Sequence, residues 1–184
     1  KMKTDNKLKK PKKVYVGLAA DILHEGHINI LQIANSYGEV TVGLLTDSAI
    51  SSYKKLPHLN FKQREIVLKN IRFVKKVIPQ ETLDYRKNLI KLKPDYVVHG
   101  DDWKVGIQKN TRKRVIQTIK KWSGKLIEPK YTTNISSTRL KKEFLKIGIS
   151  PDTRKAKLKR LMNVKKIVRI IESHNALTGL IVEN

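Results

Sequence analysis

The chain has 184 residues, 39% of them hydrophobic, and a formal charge of +24, which supports one compact domain with a smaller appendage. Cysteine is absent, which excludes disulfides and thiol catalysis and fits a reducing, cytoplasmic setting. No apolar run approaches the roughly 18 residues of a membrane helix, so no membrane partner is expected.

Residues 1–11 read as a basic tail. The first 13 positions hold seven lysines, and no apolar stretch follows that could serve a secretory signal. "KKVYVG" (12–17) reads as a buried strand, and "HINILQIANSYG" (27–38) as an amphipathic helix stopped by Gly38. "EVTVGLLT" (39–46) is a second strand, followed by a loop with Lys54, Lys55 and Pro57. Then come a helix over 61–72, a strand over 73–79, a helix over 84–93, and a strand over 95–100. A helix over 111–122, a strand over 124–129 and a helix over 137–148 complete the series. Strands alternating with helices of about three turns mean βαβ units, hence an α/β, Rossmann-like, doubly wound parallel sheet over 12–148. From 149 to 184 the chain reads as a linker, a C-terminal helical extension, and the start of an apolar strand. In such sheets ligands bind outside the carboxyl ends of the strands. The polar clusters lie there, in the loops 18–27, 99–103 and 131–138.

The loop after the first strand lacks G-x-G-x-x-G, so the dinucleotide fingerprint is missing. It holds Asp21, His24, Gly26 and His27 instead. Gly26 admits close approach of backbone to a ligand, and the mouth of the following helix favours an anion. Two imidazoles there are donors aimed at one place, as a phosphate or a phosphoryl-type transition state requires. The other readings are a metal pair and two structural histidines. A closed zinc site wants four ligands, and no cysteine is available to supply them. "SST" (136–138) ahead of an apolar-periodic run is an N-cap signal and a second anion-binding helix mouth.

These segments resemble the cytidylyltransferases of the H-x-G-H nucleotidyltransferase superfamily. "ADILHEGH" matches the H-x-G-H signature. "HGDDW" (99–103), "QREIVLKNIRFVKKVIP" (63–79) and "NISSTRL" (134–140) resemble the G-D-D-W, I-R-Y-V-D-E-V-I-P and R-T-E-G-I-S-T-T stretches of glycerol-3-phosphate cytidylyltransferases, in the same order. The resemblance implies that His24 and His27 contact the CTP phosphates, with Ala19, Ala20, Asp21 and Gly26 around them. It implies that Lys54 or Lys55 neutralises phosphate, Lys55 being taken as catalytic and Lys54 as nucleotide-binding. Arg64 falls at a nucleotide-site arginine. Gly100, Asp101, Asp102 and Trp103 shape the cytidine and acceptor pocket. Ile135, Ser136, Ser137 and Thr138 hold the β- and γ-phosphates. Asp21 is an indirect participant or a structural residue. No protein metal cage is expected; Mg²⁺ would bridge phosphate oxygens. Resemblance to the family also implies a homodimer.

The sequence departs from that pattern where R-T-E-G reads "YTTN" (131–134) and G-T-F-D reads "LAAD" (18–21). Both departures point to an acceptor other than glycerol phosphate. "ESHNALTGLIVEN" (172–184) resembles the opening of phosphoenolpyruvate mutase, which implies a fusion serving phosphonate biosynthesis and a small phosphonate acceptor. The charge then matches polyanionic substrates. With aromatic residues at 6% and no stacking pattern, a nucleic-acid partner is not expected; the alternative readings are a glycerol-3-phosphate cytidylyltransferase and, in a different class, an RNA-binding module using the charge.

Overall fold

The structure, a computed structural model, describes residues 10–130, 132, 151–165 and 167–168. Five strands form one sheet: β1 Lys13–Leu18, β2 Glu39–Leu45, β3 Lys76–Gln80, β4 Tyr96–Val98 and β5 Lys125–Ile127. Every pairing is parallel, and the order is β3-β2-β1-β4-β5. The expected doubly wound α/β sheet is therefore present.

Period-two alternation assigns the two faces. Val14 and Val16 of β1, with Val40, Val42 and Leu44 of β2, pack on Leu31 and Ala34 of α1 (Glu25–Tyr37) and Leu68 of α3 (Phe61–Lys69). Tyr15 and Val97 face the other way, onto Leu89 of α4 (Arg86–Leu92) and Val115 and Ile119 of α5 (Lys109–Ile119). Gly38 ends α1 at φ 152°, and a Cβ there would run into the Lys12 carbonyl.

Two glycines clear the second face for tyrosines. A Cβ at Gly17 would overlap the Tyr85 ring, and one at Gly43 would overlap the Tyr15 hydroxyl. Gly17→Ala is accordingly expected to lose about 1–3 kcal/mol through overpacking. A urea titration reads this as a lower midpoint at unchanged slope. A wild-type midpoint would show that Tyr85 moves aside freely.

Several boundaries differ from the sequence reading. The segment after β2 is not all loop: Asp47–Ser51 forms a short helix, α2, whose N-cap Thr46 hydroxyl accepts from the Ala49 N–H (3.2 Å). Helix α3 opens with a capping box between Asn60 and Gln63 and stops at Lys69 rather than 72. Strand β3 starts at Lys76 rather than 73, because Val74 N–H turns back to the Ile71 carbonyl (2.8 Å). On this edge strand the Gln80 carbonyl accepts from Thr46 N–H (3.0 Å) and so faces β2. Pro79, one residue earlier, faces outward, where its missing N–H removes no ladder bond.

The chain forms two compact units, Lys1–Gly148 and Ile149–Asn184. The described part of the second holds helix α6, Pro151–Val164. The sequence reads its first residues as linker, but proline suits a first helical turn and Asp152 complements the helix dipole there. The expected helix over 137–148 and the apolar strand near the C-terminus lie outside the described residues. Among the described residues no helix is long and apolar enough to cross a membrane.

Candidate active site

The chain runs from β1 to β2 and β3 on one side, then crosses to β4 and β5 on the other. At this switch point the carboxyl ends of β1, β2 and β4 surround a cavity of about 250 Å³.

His24 is the N-cap of α1, with extended backbone and no side-chain hydrogen bond capping the helix. Its carbonyl accepts from His27 N–H at 2.9 Å. The H-x-x-H spacing therefore stacks both rings over the helix mouth, with centroids 4.0 Å apart. Both line the cavity, and the Nδ1 atom of each is buried without a hydrogen-bond partner among the described residues. Burial lowers the His24 pKa against the pull of Glu25. Burial, then the repulsion a second proton would meet from His24 and Lys54, push His27 down to about 4. Both rings are thus neutral at pH 7, each with one N–H to donate. A Cβ on Gly26 would sit 3.1 Å from the His24 ring, so this glycine makes room for the imidazole as well as lining the cavity.

Two buried polar side chains tie the surrounding loops. Asp21 Oδ1 accepts from the N–H groups of His58 (2.5 Å) and Leu59 (3.2 Å). Arg64 is 0% exposed. It donates to the carbonyls of Ala19 (2.6 Å), Leu45 (2.8 Å) and Leu59 (3.1 Å) and to Asp47 (2.7 Å). Ala19 and Leu45 are cavity walls, so Arg64 fixes the rim from behind.

On the β4 side, His99 lines the cavity and stacks on Trp103 with centroids 3.9 Å apart and planes 5° from parallel. Trp103 is buried and donates its Nε1–H to Glu128 (2.7 Å). Arg112 of α5 forks onto both oxygens of the same carboxylate, at 2.7 Å each. Arg112 first, then Trp103, hold Glu128 down at about 2.

The expected site residues thus divide. His24, His27, Ala19, Gly26, Lys54, Gly100 and Asp102 come together around the cavity. Ala20, Asp21, Lys55, Arg64, Asp101 and Trp103 do not line it. Arg64 is turned inward by four acceptors and stands behind the cavity rim. Trp103 stands behind His99, and Asp101 N–H is bonded to the Pro129 carbonyl (3.1 Å). Of the two lysines, Lys54 reaches the cavity wall, its Nζ 5.2 Å from the Tyr53 ring centroid. Ile135, Ser136, Ser137 and Thr138 lie outside the described residues. Sequence reasoning missed Tyr53, Tyr85, His99, Gln108 and Thr132, all of which line the cavity. His99 carried a signal, since it precedes the G-D-D-W segment at a strand end. The two tyrosines read as ordinary loop and helix aromatics.

Fold and cavity together define an α/β protein with a histidine-lined cleft at its switch point, on the plan of the nucleotidyltransferases. The cytidylyltransferase-like family model matches residues 15–143, and the chain belongs to that family. It is 30% identical over 135 residues to the glycerol-3-phosphate cytidylyltransferase of Bacillus spizizenii, covering 72% of this chain and 97% of that protein. It is 34% identical over 140 residues to the ethanolamine-phosphate cytidylyltransferase of Dictyostelium discoideum, where the match covers 36% of the relative's length. In fold it is similar to the lipopolysaccharide core biosynthesis protein from Thermoplasma volcanium GSS1, with TM-score 0.57, 24% identity, and coverage of 66% of this chain and 98% of that one.

Proposed function

We propose that the protein is a CTP-dependent cytidylyltransferase that transfers CMP to a small phosphonate, 2-aminoethylphosphonate or 2-hydroxyethylphosphonate, and releases pyrophosphate. The observation that carries the nucleotidyl-transfer part is the neutral histidine pair with unpartnered Nδ1 atoms over an uncapped helix mouth. The phosphonate part rests on the mutase-like stretch 172–184 and on the two departures from the glycerol-phosphate pattern. The same reading includes a homodimer, a fused mutase and a cytoplasmic location.

An oxygen of the phosphonate attacks the α-phosphorus of CTP. The bond from that phosphorus to the oxygen bridging to the β-phosphate breaks, and pyrophosphate takes the electron pair. The nucleophile is already ionised near pH 7, so positioning and charge stabilisation do the chemistry. His24 and His27 donate where negative charge builds on the α-phosphoryl oxygens, while Lys54 and the helix mouth attract the triphosphate. Asp102 is the one carboxylate among the described residues of the cavity wall, an oxygen donor of the kind Mg²⁺ accepts beside substrate phosphates. When bound, the ion offsets phosphate charge.

The test is pyrophosphate release from CTP and Mg²⁺ with 2-aminoethylphosphonate, 2-hydroxyethylphosphonate, glycerol 3-phosphate and phosphocholine in parallel. Turnover is expected with one of the two phosphonates. Turnover with glycerol 3-phosphate alone would keep the transfer chemistry and overturn the acceptor.

A further inference from the structure

The mechanism above uses the histidines at the mouth of α1 and leaves a third one in the same cavity unexplained. His99 sits at the end of β4, outside the H-x-G-H signature. Its surroundings fix its chemistry. Nδ1 lies 2.8 Å from the Gly100 carbonyl oxygen. A carbonyl oxygen only accepts, so Nδ1 carries the proton. Burial favours the neutral ring, ahead of the opposing pulls of the Gly100 bond, Asp102 and Glu128. In a neutral imidazole protonated at Nδ1, Nε2 holds a lone pair and no hydrogen. No polar group among the described residues meets Nε2, and the ring forms part of the cavity wall.

Turning the ring over in its own plane would break the Nδ1 bond to Gly100, and tilting it would break the stack. One face lies flat on Trp103. Trp103 is held by Glu128, which Arg112 grips through two bonds. A chain of partners running from half-buried Arg112 and Glu128 to buried Trp103, and ending on one imidazole plane, orients a group that must point one way.

We propose that His99 is a specificity-determining residue whose Nε2 accepts a hydrogen bond from an N–H or O–H group of the bound substrates. It contrasts with His24 and His27, which donate to phosphate. An acceptor is useless toward a phosphate oxygen and selects for the donor-bearing end of a ligand. That donor belongs to the nucleoside of CTP or to the amino or hydroxyl end of the acceptor. A substrate lacking it would leave the cavity with an unpaired lone pair, which is how a polar site rejects an analogue. The inference rests on the transferase reading for the identity of the ligands, and on the Gly100 bond together with burial for the state of the ring.

Two measurements test it. Long-range ¹H–¹⁵N spectra, with His99 assigned by loss of its signals in His99→Gln, are expected to show Nε2 unprotonated in the free protein. That nitrogen should then shift when CTP and 2-aminoethylphosphonate are added together. A protonated Nε2, or one unmoved by that mixture, would overturn the proposal. This readout needs binding and not turnover, so a failed phosphonate assay would overturn the acceptor assignment without touching it. Kinetics on the acceptor that wild type uses supply the second arm. His99→Phe keeps a ring on Trp103 and removes both nitrogens. It is expected to raise KM about tenfold for whichever substrate supplies the donor, with kcat within about threefold. His99→Gln, whose amide reaches the Nε2 position, is expected to recover much of that loss. A raised KM for CTP identifies the nucleoside, and a raised KM for the acceptor identifies its far end. Equal KM values in all three proteins would show that His99 only packs.

Discussion

His24→Ala or His27→Ala is expected to lower kcat by about a hundredfold or more while the far-UV circular dichroism stays that of wild type. The size follows from removing one preorganised donor at a developing phosphoryl charge, typically about 3–4 kcal/mol. The fold should survive because α1 is anchored by Leu31 and Ala34, about one and two turns beyond His27. Neither Nδ1 has a hydrogen-bond partner among the described residues, so truncation breaks no described bond at that atom. Near-normal kcat in both variants would remove the pair from the reaction. The ionisation of His27 adds a signature. Its folded pKa is about 4 against an ordinary 6.5, so the unfolded chain binds a proton there that the folded chain refuses. Stability from this group is therefore present above pH 6.5 and declines toward about pH 4. A bound polyanion favours the protonated ring. Protection by CTP in a thermal melt should thus grow as pH falls through that window, and His27→Ala should lose the effect.

The largest stability effect is expected at Arg64. Arg64→Met would keep much of the volume and strip the donors from three carbonyls and Asp47. Breaking a buried charged network by removing one partner usually loses about 3–5 kcal/mol, enough to unfold a marginal domain near 37 °C. Arg64→Lys should rescue little, because a single ammonium cannot span the ends of β1, β2 and the approach to α3 as a planar fork does. A chemical denaturation midpoint within about 1 kcal/mol of wild type for Arg64→Met would refute this account. The loop carrying Lys54 is also tied by Asp21, so the two sites are coupled. A double variant with Asp21→Asn should destabilise by less than the sum of the singles.

These two cases show what a sequence does and does not disclose. The βαβ alternation was legible because Val14, Val16, Val40 and Val42 repeat with a strand's period and Leu31 and Ala34 with a helix's. The histidine pair was legible because both rings belong to one helix turn, so local spacing alone brings them together. Arg64 was not, because its place on α3 carries the motif pattern of a nucleotide contact while its direction is set by carbonyls 5, 19 and 45 residues away. Tyr85 enters the cavity past Gly17, 68 residues earlier, and the ring of His99 is held through Trp103 by Glu128, which lies 29 residues beyond it. Lys54 and Lys55 differ by one residue in a loop, where no periodicity chooses between them.

Pro79 has a consequence for the behaviour of many molecules together. A parallel sheet of valine-rich strands offers two open margins to any neighbour able to extend it. On the β3 margin the outward-facing position that would supply a central donor is a proline, and Lys76, at the strand's start, is exposed. An incoming strand would meet a missing bond and a charge, so this side resists edge-to-edge aggregation.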